Sequence, residues 1–295
     1  MSEFFFIFMQ VFGVFLMFLA SYLFGRWRTG KLDLTILSEI ILYIGCPCVV
    51  FSTIVNTRYE VSEIGVLVGA LIWCVVFVAA FNFISGIILR KKHSNLFYFS
   101  TMFMNTSSIG FPLMLFLFGQ AAFEKAVIFY LAMITLLFSL GVSLISKKYT
   151  EIFRLPVLYA AALGFVISFS GWTLPEFVFK PITLMSGMTV PLMIVLLGCE
   201  FARLGKIKKV KTALGAALTR ALIGLLGGLT FVALFGVTGL TAKVIILCSC
   251  LPVPVMTYVI AQKYRQDEKT AAEIVILSNL CAVIVLPIVI FLFLR

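Results

Sequence analysis

Charged residues are scarce in this chain, and their scarcity excludes a soluble domain. Asp, Glu, Lys and Arg make up 12% of the 295 residues, whereas 62% are hydrophobic. Soluble domains carry about 25% charged residues. No long hydrophilic segment separates the apolar runs, many of which reach the length that crosses a bilayer as a helix. The composition therefore predicts an all-α polytopic membrane protein.

Residues that commonly hold metals or perform catalysis are also few. There is one histidine, His93, and the seven cysteines include no C-x-x-C pair, so we expect neither a disulfide framework nor a zinc site. The C-x-C pairs that begin at Cys46 and Cys248 are interpreted as small apolar filler. The apolar spans contain no paired carboxylates and no Ser/Lys or Cys/His couple at a useful spacing. We therefore expect no enzyme, no metal and no cofactor.

Two apolar runs are interrupted by residues that do not continue a regular helix. Residues 105–112 read Asn-Thr-Ser-Ser-Ile-Gly-Phe-Pro, and residues 248–254 read Cys-Ser-Cys-Leu-Pro-Val-Pro. Proline removes a backbone donor and glycine weakens a helix. Lipid cannot satisfy the freed groups, so such backbone must face protein or a wet cavity. We predict helix breaks at Gly110, Pro112, Pro252 and Pro254. Paired breaks in two halves of a chain indicate the binding site of a transporter.

Ten membrane spans are predicted from the apolar runs. They lie at about 4–25, 34–56, 64–89, 95–119, 124–146, 154–172, 178–202, 212–236, 241–263 and 270–294. Most of the 23 Lys and Arg residues follow odd-numbered spans, which places those loops in the cytoplasm and both termini outside. The net charge of +11 is thus explained by topology, and we expect no nucleic-acid partner. The first span is interpreted as a retained helix in the plasma membrane.

The halves 1–150 and 151–295 repeat the same pattern of breaks. Gln120 stands eight residues after Pro112, and Gln262 stands eight residues after Pro254. Five spans are an odd number, so the second unit must be inverted relative to the first. Inverted repeats of this kind are typical of secondary carriers.

The chain resembles the auxin efflux carrier family, which includes bacterial organic-acid permeases and plant auxin exporters. The run 105–112 matches the family's asparagine-glycine-proline signature. Residues 251–254, followed by Ala-Gln-Lys-Tyr at 261–264 and Asp-Glu at 267–268, match its second conserved segment. The link at about 147–154 is short, where many plant members carry a long hydrophilic loop.

The resemblance implies a ten-helix fold shared in outline with bile-acid and sodium/proton carriers. Broken helices 4 and 9 would cross at mid-membrane. Spans 1, 2, 6 and 7 would form a scaffold, and spans 3–5 and 8–10 a moving transport domain that works by an elevator mechanism. The resemblance also implies a homodimer.

Half-helix N-termini at such a crossing would bind an anion through unpaired N–H groups and partial positive charge. The candidate substrate-binding residues are the polar side chains in and near the breaks: Asn105, Thr106, Ser107, Ser108, Ser249, Thr257, Arg220 and Asn279. An alternative is that the residues of the breaks only cap the half-helices.

Arg220 is the one basic residue deep in a predicted span, and such a residue needs a partner. It would either attract the anion or act as a buried pin on backbone carbonyls. The breaks contain no Asp or Glu, and Glu200 is expected near the cytoplasmic end of its span, paired with Arg203. We therefore expect no obligatory coupling ion, so that the membrane potential drives the flux.

These observations together predict a secondary carrier of small organic anions, most simply mono- or dicarboxylates. The alternatives are a carrier of auxin-like aromatic acids, a carrier of neutral or zwitterionic metabolites, and a membrane sensor that binds its ligand without moving it. A sensor would need an output domain, for which the short loops leave no room.

Overall fold

The computed structural model describes residues 16–28, 33–88, 90, 93–146, 150–202 and 208–293. Residues 4–15 of the predicted first span lie outside this part of the chain. The described secondary structure is helical, with no β-strand. The helices are α1 (16–27), α2 (Leu34–Asn56), α3 (Val61–Ile88), α4a (Asn95–Met102), α4b (106–118), α5 (Gln120–Ser146), α6 (Pro156–Ser170), α7 (Glu176–Ala202), α8 (Val210–Leu234), α9a (Gly239–Ser249), α9b (Met256–Lys263) and α10 (Glu268–Phe293).

Seven of the described helical segments are long and apolar enough to cross a bilayer, if α4a and α4b are counted together. The mean hydropathy of their most apolar windows reaches 2.9 in α10. Helices α6 and α9a are shorter and also apolar. Large side chains such as Ile84, Leu163 and Leu226 are exposed on the outer surface, as expected where lipid replaces water. The protein is an all-helical, multi-pass membrane protein.

Local sequence explains several of the helix ends. The Asp33 carboxylate accepts the Thr35 N–H at 2.9 Å at the start of α2, and the Ser94 hydroxyl oxygen accepts the Phe97 N–H at 3.2 Å at the start of α4a. Such side chains satisfy N–H groups that lack a partner inside the helix. Gly171 ends α6 with φ +68°, a left-handed conformation that suits glycine.

Both predicted breaks are present as non-helical backbone between two half-helices. Residues 103–105 separate α4a from α4b, and residues 250–255 separate α9a from α9b. Pro252 and Pro254 lie inside the second gap. Gly110 and Pro112 instead lie inside α4b, because the turn Thr106–Gly110 is π-helical and continues into the α-helix. The non-helical backbone of the first break precedes both residues.

The described helices pack in two groups. Helix α2 packs on α6 and α7, and α1 joins them through Ser21, which lies against Gly198 and accepts the Cys199 thiol. Helices α3, α4, α5, α8, α9 and α10 form the second group, in which α8 contacts α3, α9a and α10. Helix α7 meets this second group at the turn Thr106–Gly110. The space around that turn therefore lies between the two groups.

Candidate functional site

The two broken helices contact each other directly at their breaks. The backbone N–H of Asn105 donates to the carbonyl of Pro252 at 2.8 Å. Gly110 packs on Leu251, and a Cβ at Gly110 would lie 2.9 Å from the Leu251 Cδ1 atom. A side chain at position 110 would therefore force the end of the Leu251 side chain to shift.

Asn105 begins the half-helix α4b and offers one further donor. Its side-chain oxygen accepts the Ser108 N–H at 3.1 Å, which is the capping role that we considered for this group. Its side-chain nitrogen is buried and has no partner among the described residues. A buried donor without an acceptor costs about 1–3 kcal/mol, so this nitrogen can donate to a water molecule or to a ligand.

Helix α10 holds the second break in place. Ser278 accepts the Val253 N–H at 2.9 Å. The Asn279 amide donates to the Val253 carbonyl at 3.4 Å and to the Val275 carbonyl at 2.6 Å. The oxygen of the Asn279 side chain has no partner among the described residues. Asn279 thus both supports the break and presents an acceptor beside it.

Arg220 joins the C-terminal ends of the other two half-helices. Its guanidinium is fully buried and donates to the carbonyls of Thr101 (2.9 Å), Met102 (3.1 Å) and Ser249. These carbonyls end α4a and α9a, where backbone acceptors lack intrahelical partners and carry partial negative charge. The contacts are those of a buried pin. Arg220 does not line either of the cavities described below.

A cavity of about 70 Å³, here called the polar cavity, lies beside the crossing. Its polar lining consists of Ser38, Asn105, Ser107, Ser108, Tyr130 and Glu200, and Pro254, Val255 and Met256 add the start of α9b. The N-terminal ends of both α4b and α9b therefore reach this cavity. A volume of this size has room for a few water molecules, so the cavity is a small polar pocket between the two helix groups.

A second cavity of about 60 Å³, here called the apolar cavity, meets the polar one at Ser108. Apolar side chains of α1, α4b, α7 and α10 line most of it, among them Phe18, Leu113, Ile194 and Leu286. Its polar lining residues are Ser108 and Asn279. Both cavities are thus bounded by both helix groups.

The predicted site residues do not all meet at one place. Asn105, Ser107 and Ser108 line the polar cavity, and Asn279 lines the apolar one. The hydroxyls of Thr106 and Thr257 are buried without a hydrogen-bond partner among the described residues. The Ser249 hydroxyl donates to the Ile246 carbonyl at 2.8 Å, away from both cavities.

Sequence reasoning missed four polar or ionisable residues of the polar cavity: Ser38, Cys46, Tyr130 and Glu200. Glu200 was expected at a cytoplasmic helix end beside Arg203, which lies outside the described residues. The structure brings it into the polar cavity because α7 packs against the turn Thr106–Gly110. Leu196, one turn earlier, lines the same cavity, and this i, i+4 spacing is the signal that marks the face. We expected no obligatory coupling ion because the breaks contain no Asp or Glu. Glu200 now lies beside a break, so that reason no longer holds.

The fold and this site together define the class of membrane protein to which the chain belongs. The protein is a multi-pass helical membrane protein whose two interrupted helices meet at a small polar cavity, as in membrane transporters. A family profile described as "Membrane transport protein" matches residues 142–290, about half of the chain. The chain therefore belongs to the membrane transport protein family, which is the auxin efflux carrier family.

One relative matches both halves of the chain. An uncharacterised transporter of Methanocaldococcus jannaschii is 24% identical over 269 residues, which cover 86% of this chain and 87% of the relative. The similarity covers most of the chain, and both comparisons point to a role in transport.

Proposed function

We propose that the protein is a secondary transporter that moves small organic anions, mono- or dicarboxylates, across the membrane. One observation carries this proposal: the buried, unpartnered side-chain nitrogen of Asn105 lines a cavity that the N-terminal ends of α4b and α9b also reach. Partial positive charge at the two helix starts favours a carboxylate. The amide of Asn105 adds a donor that has no acceptor in the protein.

The arrangement of the helices supports an elevator mechanism. In the proposed topology, ten spans form two inverted repeats, residues 1–150 and 151–295. Spans 1, 2, 6 and 7 are the scaffold, and spans 3–5 and 8–10 move with the substrate. Both cavities lie where the two packed helix groups meet, so a shift of one group against the other would carry a bound ligand from one side of the membrane to the other.

Membrane placement follows from the same proposal. The chain resides in the plasma membrane with both termini outside, because its basic loops follow odd-numbered spans. It acts as a carrier rather than an enzyme, and it works as a homodimer.

A second candidate substrate is an amphipathic aromatic acid. The apolar cavity favours it, because this cavity adjoins the polar one at Ser108 and is lined mainly by aliphatic and aromatic side chains. The carboxylate of such a substrate would occupy the polar cavity, and its ring would occupy the apolar cavity.

Uptake of radiolabelled carboxylates into proteoliposomes tests the proposal. The wild type should accumulate at least one small carboxylate above empty liposomes. Asn105→Asp keeps the oxygen that caps α4b and replaces the free amide by an acidic oxygen, so it should abolish uptake. Asn95→Ala is the matched control on the same broken span, because the Asn95 amide binds the Leu144 carbonyl away from both cavities.

Two results would contradict the proposal. If a folded wild type transports no carboxylate, the function is wrong. If Asn105→Asp transports as well as the wild type, the carboxylate does not bind at the start of α4b.

A further inference from the structure

The polar cavity has one wall suited to an anion and one wall that repels it. Asn105, Ser107 and Ser108 bring the start of α4b to the first wall, and Met256 brings the start of α9b. Glu200 of α7 lies on the other wall. Among the described residues, it is the only charged side chain that lines this cavity; Tyr130 and Cys46 are the other ionisable ones.

The position of Glu200 is fixed by packing rather than by a flexible loop. Glu200 lies in the last turn of α7, and the residue two positions before it, Gly198, packs so closely on Ser21 of α1 that a Cβ would lie 2.5 Å from the Ser21 Cβ. The Cys199 thiol also contacts the Ser21 carbonyl at 3.5 Å. Helix α7 therefore holds Glu200 against the turn Thr106–Gly110, which it contacts directly.

A carboxylate in so small a cavity acts strongly on the charge of any ligand. Glu200 and the starts of α4b and α9b line the same cavity of about 70 Å³, so a ligand bound at the helix starts shares that cavity with the Glu200 carboxylate. Charges interact more strongly in such a partly buried cavity than in bulk water, because the effective dielectric constant is lower. A second carboxylate on the ligand is repelled, whereas a positively charged amino group is attracted.

We propose that Glu200 determines specificity, so that the site prefers a carboxylate that also carries an amino group and disfavours dicarboxylates. This inference rests on the proposed function, since it assumes that a carboxylate binds at the starts of α4b and α9b. The carboxylate of the substrate occupies the wall of Asn105, and its ammonium group occupies the wall of Glu200. The two walls belong to different helix groups, so the pairing forms only when the groups are in the present arrangement.

Three acids with the same core test the proposal. Butyrate, β-alanine and succinate share the unit CH₂–CH₂–COO⁻ and differ only in a terminal methyl, ammonium or carboxylate group. Their affinities are measured for the purified full chain by ligand-induced thermal stabilisation. The wild type should bind β-alanine more tightly than butyrate, and butyrate more tightly than succinate.

Glu200→Gln removes the charge and keeps the size of the side chain. It should weaken β-alanine binding about tenfold and strengthen succinate binding about tenfold, with little change for butyrate, because one charge interaction is lost in each case. Glu176→Gln is the matched control, since Glu176 lies at the opposite end of α7 and pairs with Lys180 on the surface. It should leave all three affinities unchanged.

The outcomes separate this inference from the proposed function. An unchanged order of affinities in Glu200→Gln overturns the inference and leaves the carboxylate carrier intact. The inference is also overturned if the wild type binds succinate more tightly than β-alanine. This second test needs no variant, so it still applies if Glu200→Gln does not fold. If the wild type binds none of the three acids and transports no carboxylate, the proposed function fails and the inference fails with it.

Discussion

The guanidinium of Arg220 on α8 donates to the main-chain carbonyl of Ser249, where α9a ends inside the bundle. The same group binds the carbonyls of Thr101 and Met102, where α4a ends. Arg220 thus places one positive charge at two negative helix ends. The helix starts at Asn105 and Met256 reach the polar cavity, where Glu200 is the one charged side chain among the described lining residues. The Arg220 guanidinium therefore lies at the two half-helix ends, and the two half-helix starts lie at the polar cavity.

Arg220→Met should destabilise the protein strongly. Methionine has a similar reach but donates no hydrogen bond, so three buried carbonyls would lose their partner. Each unsatisfied group costs about 1–3 kcal/mol, so the free energy of unfolding should fall by about 3 kcal/mol or more. Thermal or denaturant unfolding of the purified protein in detergent measures this loss.

Arg220→Lys distinguishes the pin from a substrate-binding role. Lysine keeps the charge but lacks the planar fork that reaches several acceptors, so its stability should lie between those of the wild type and Arg220→Met. A lysine variant with wild-type stability and lost carboxylate affinity would contradict the pin and favour contact with substrate.

The contact between Gly110 and Leu251 can be tested by a double-mutant cycle. Gly110→Ala places a Cβ 2.9 Å from the Leu251 Cδ1 atom, which should cost about 1–3 kcal/mol of stability through overpacking. Leu251→Ala leaves a cavity and should cost about 2–5 kcal/mol. The double variant should lose less than the sum of the two, because alanine at position 251 makes room for the new methyl group. Strict additivity would mean that the two breaks do not touch there.

The glycine, proline and small polar residues predicted that two helices are broken, but not the exact position of the first break. Pro252 and Pro254 lie in the non-helical segment, as proline's missing donor predicts. The first gap lies upstream, at residues 103–105, where Phe103 and Met104 carry no turn signal. The Asn105 N–H at the end of this gap donates to the Pro252 carbonyl. This hydrogen bond joins distant parts of the chain, so a local sequence pattern cannot predict it.

The same limit applies to the site. Small polar residues inside an apolar run predicted Asn105, Ser107 and Ser108 as substrate-binding residues, and these three line the polar cavity. Glu200 was missed because helix periodicity gives a face and not the neighbour that the face meets. For Arg220, the sequence left a pin and an anion-binding charge as alternatives, and the distinction depends on where distant carbonyls lie. Its hydrogen bonds are those of a pin.

Stability should depend on pH through Asp267, in the turn before α10. Hydrogen bonds from Lys209 (2.6 Å) and from the Thr270 hydroxyl and N–H lower the pKa of Asp267 to about 2 from its ordinary value of 3.8. Because the pKa is lower in the folded state, this stabilisation is present above about pH 4 and is lost as the pH falls towards 2. The side chain is largely exposed, so the effect should stay below about 1 kcal/mol.

Melting temperatures from pH 6 to pH 2 test this dependence. The wild type should melt above Asp267→Asn at pH 6, and the difference between them should close as the pH approaches 2. Glu176→Gln, which removes an exposed ion pair with Lys180, should melt like the wild type throughout. A difference between the wild type and Asp267→Asn that is the same at pH 2 as at pH 6 would contradict an ionic role for Asp267.

Ser108 lies where the polar and apolar cavities meet, so its size should control transport. Ser108→Leu fills this junction and should reduce carboxylate uptake to the level of empty liposomes, while the folded protein loses at most about 1–3 kcal/mol of stability to overpacking. Ser108→Ala keeps the space and removes one hydroxyl, which should lower uptake only a few-fold, since one hydrogen bond contributes about 0.5–1.5 kcal/mol.

Ser143→Leu is the control, because the Ser143 hydroxyl donates to the Leu140 carbonyl on α5 away from both cavities. Wild-type uptake by Ser108→Leu would mean that the substrate does not use this junction.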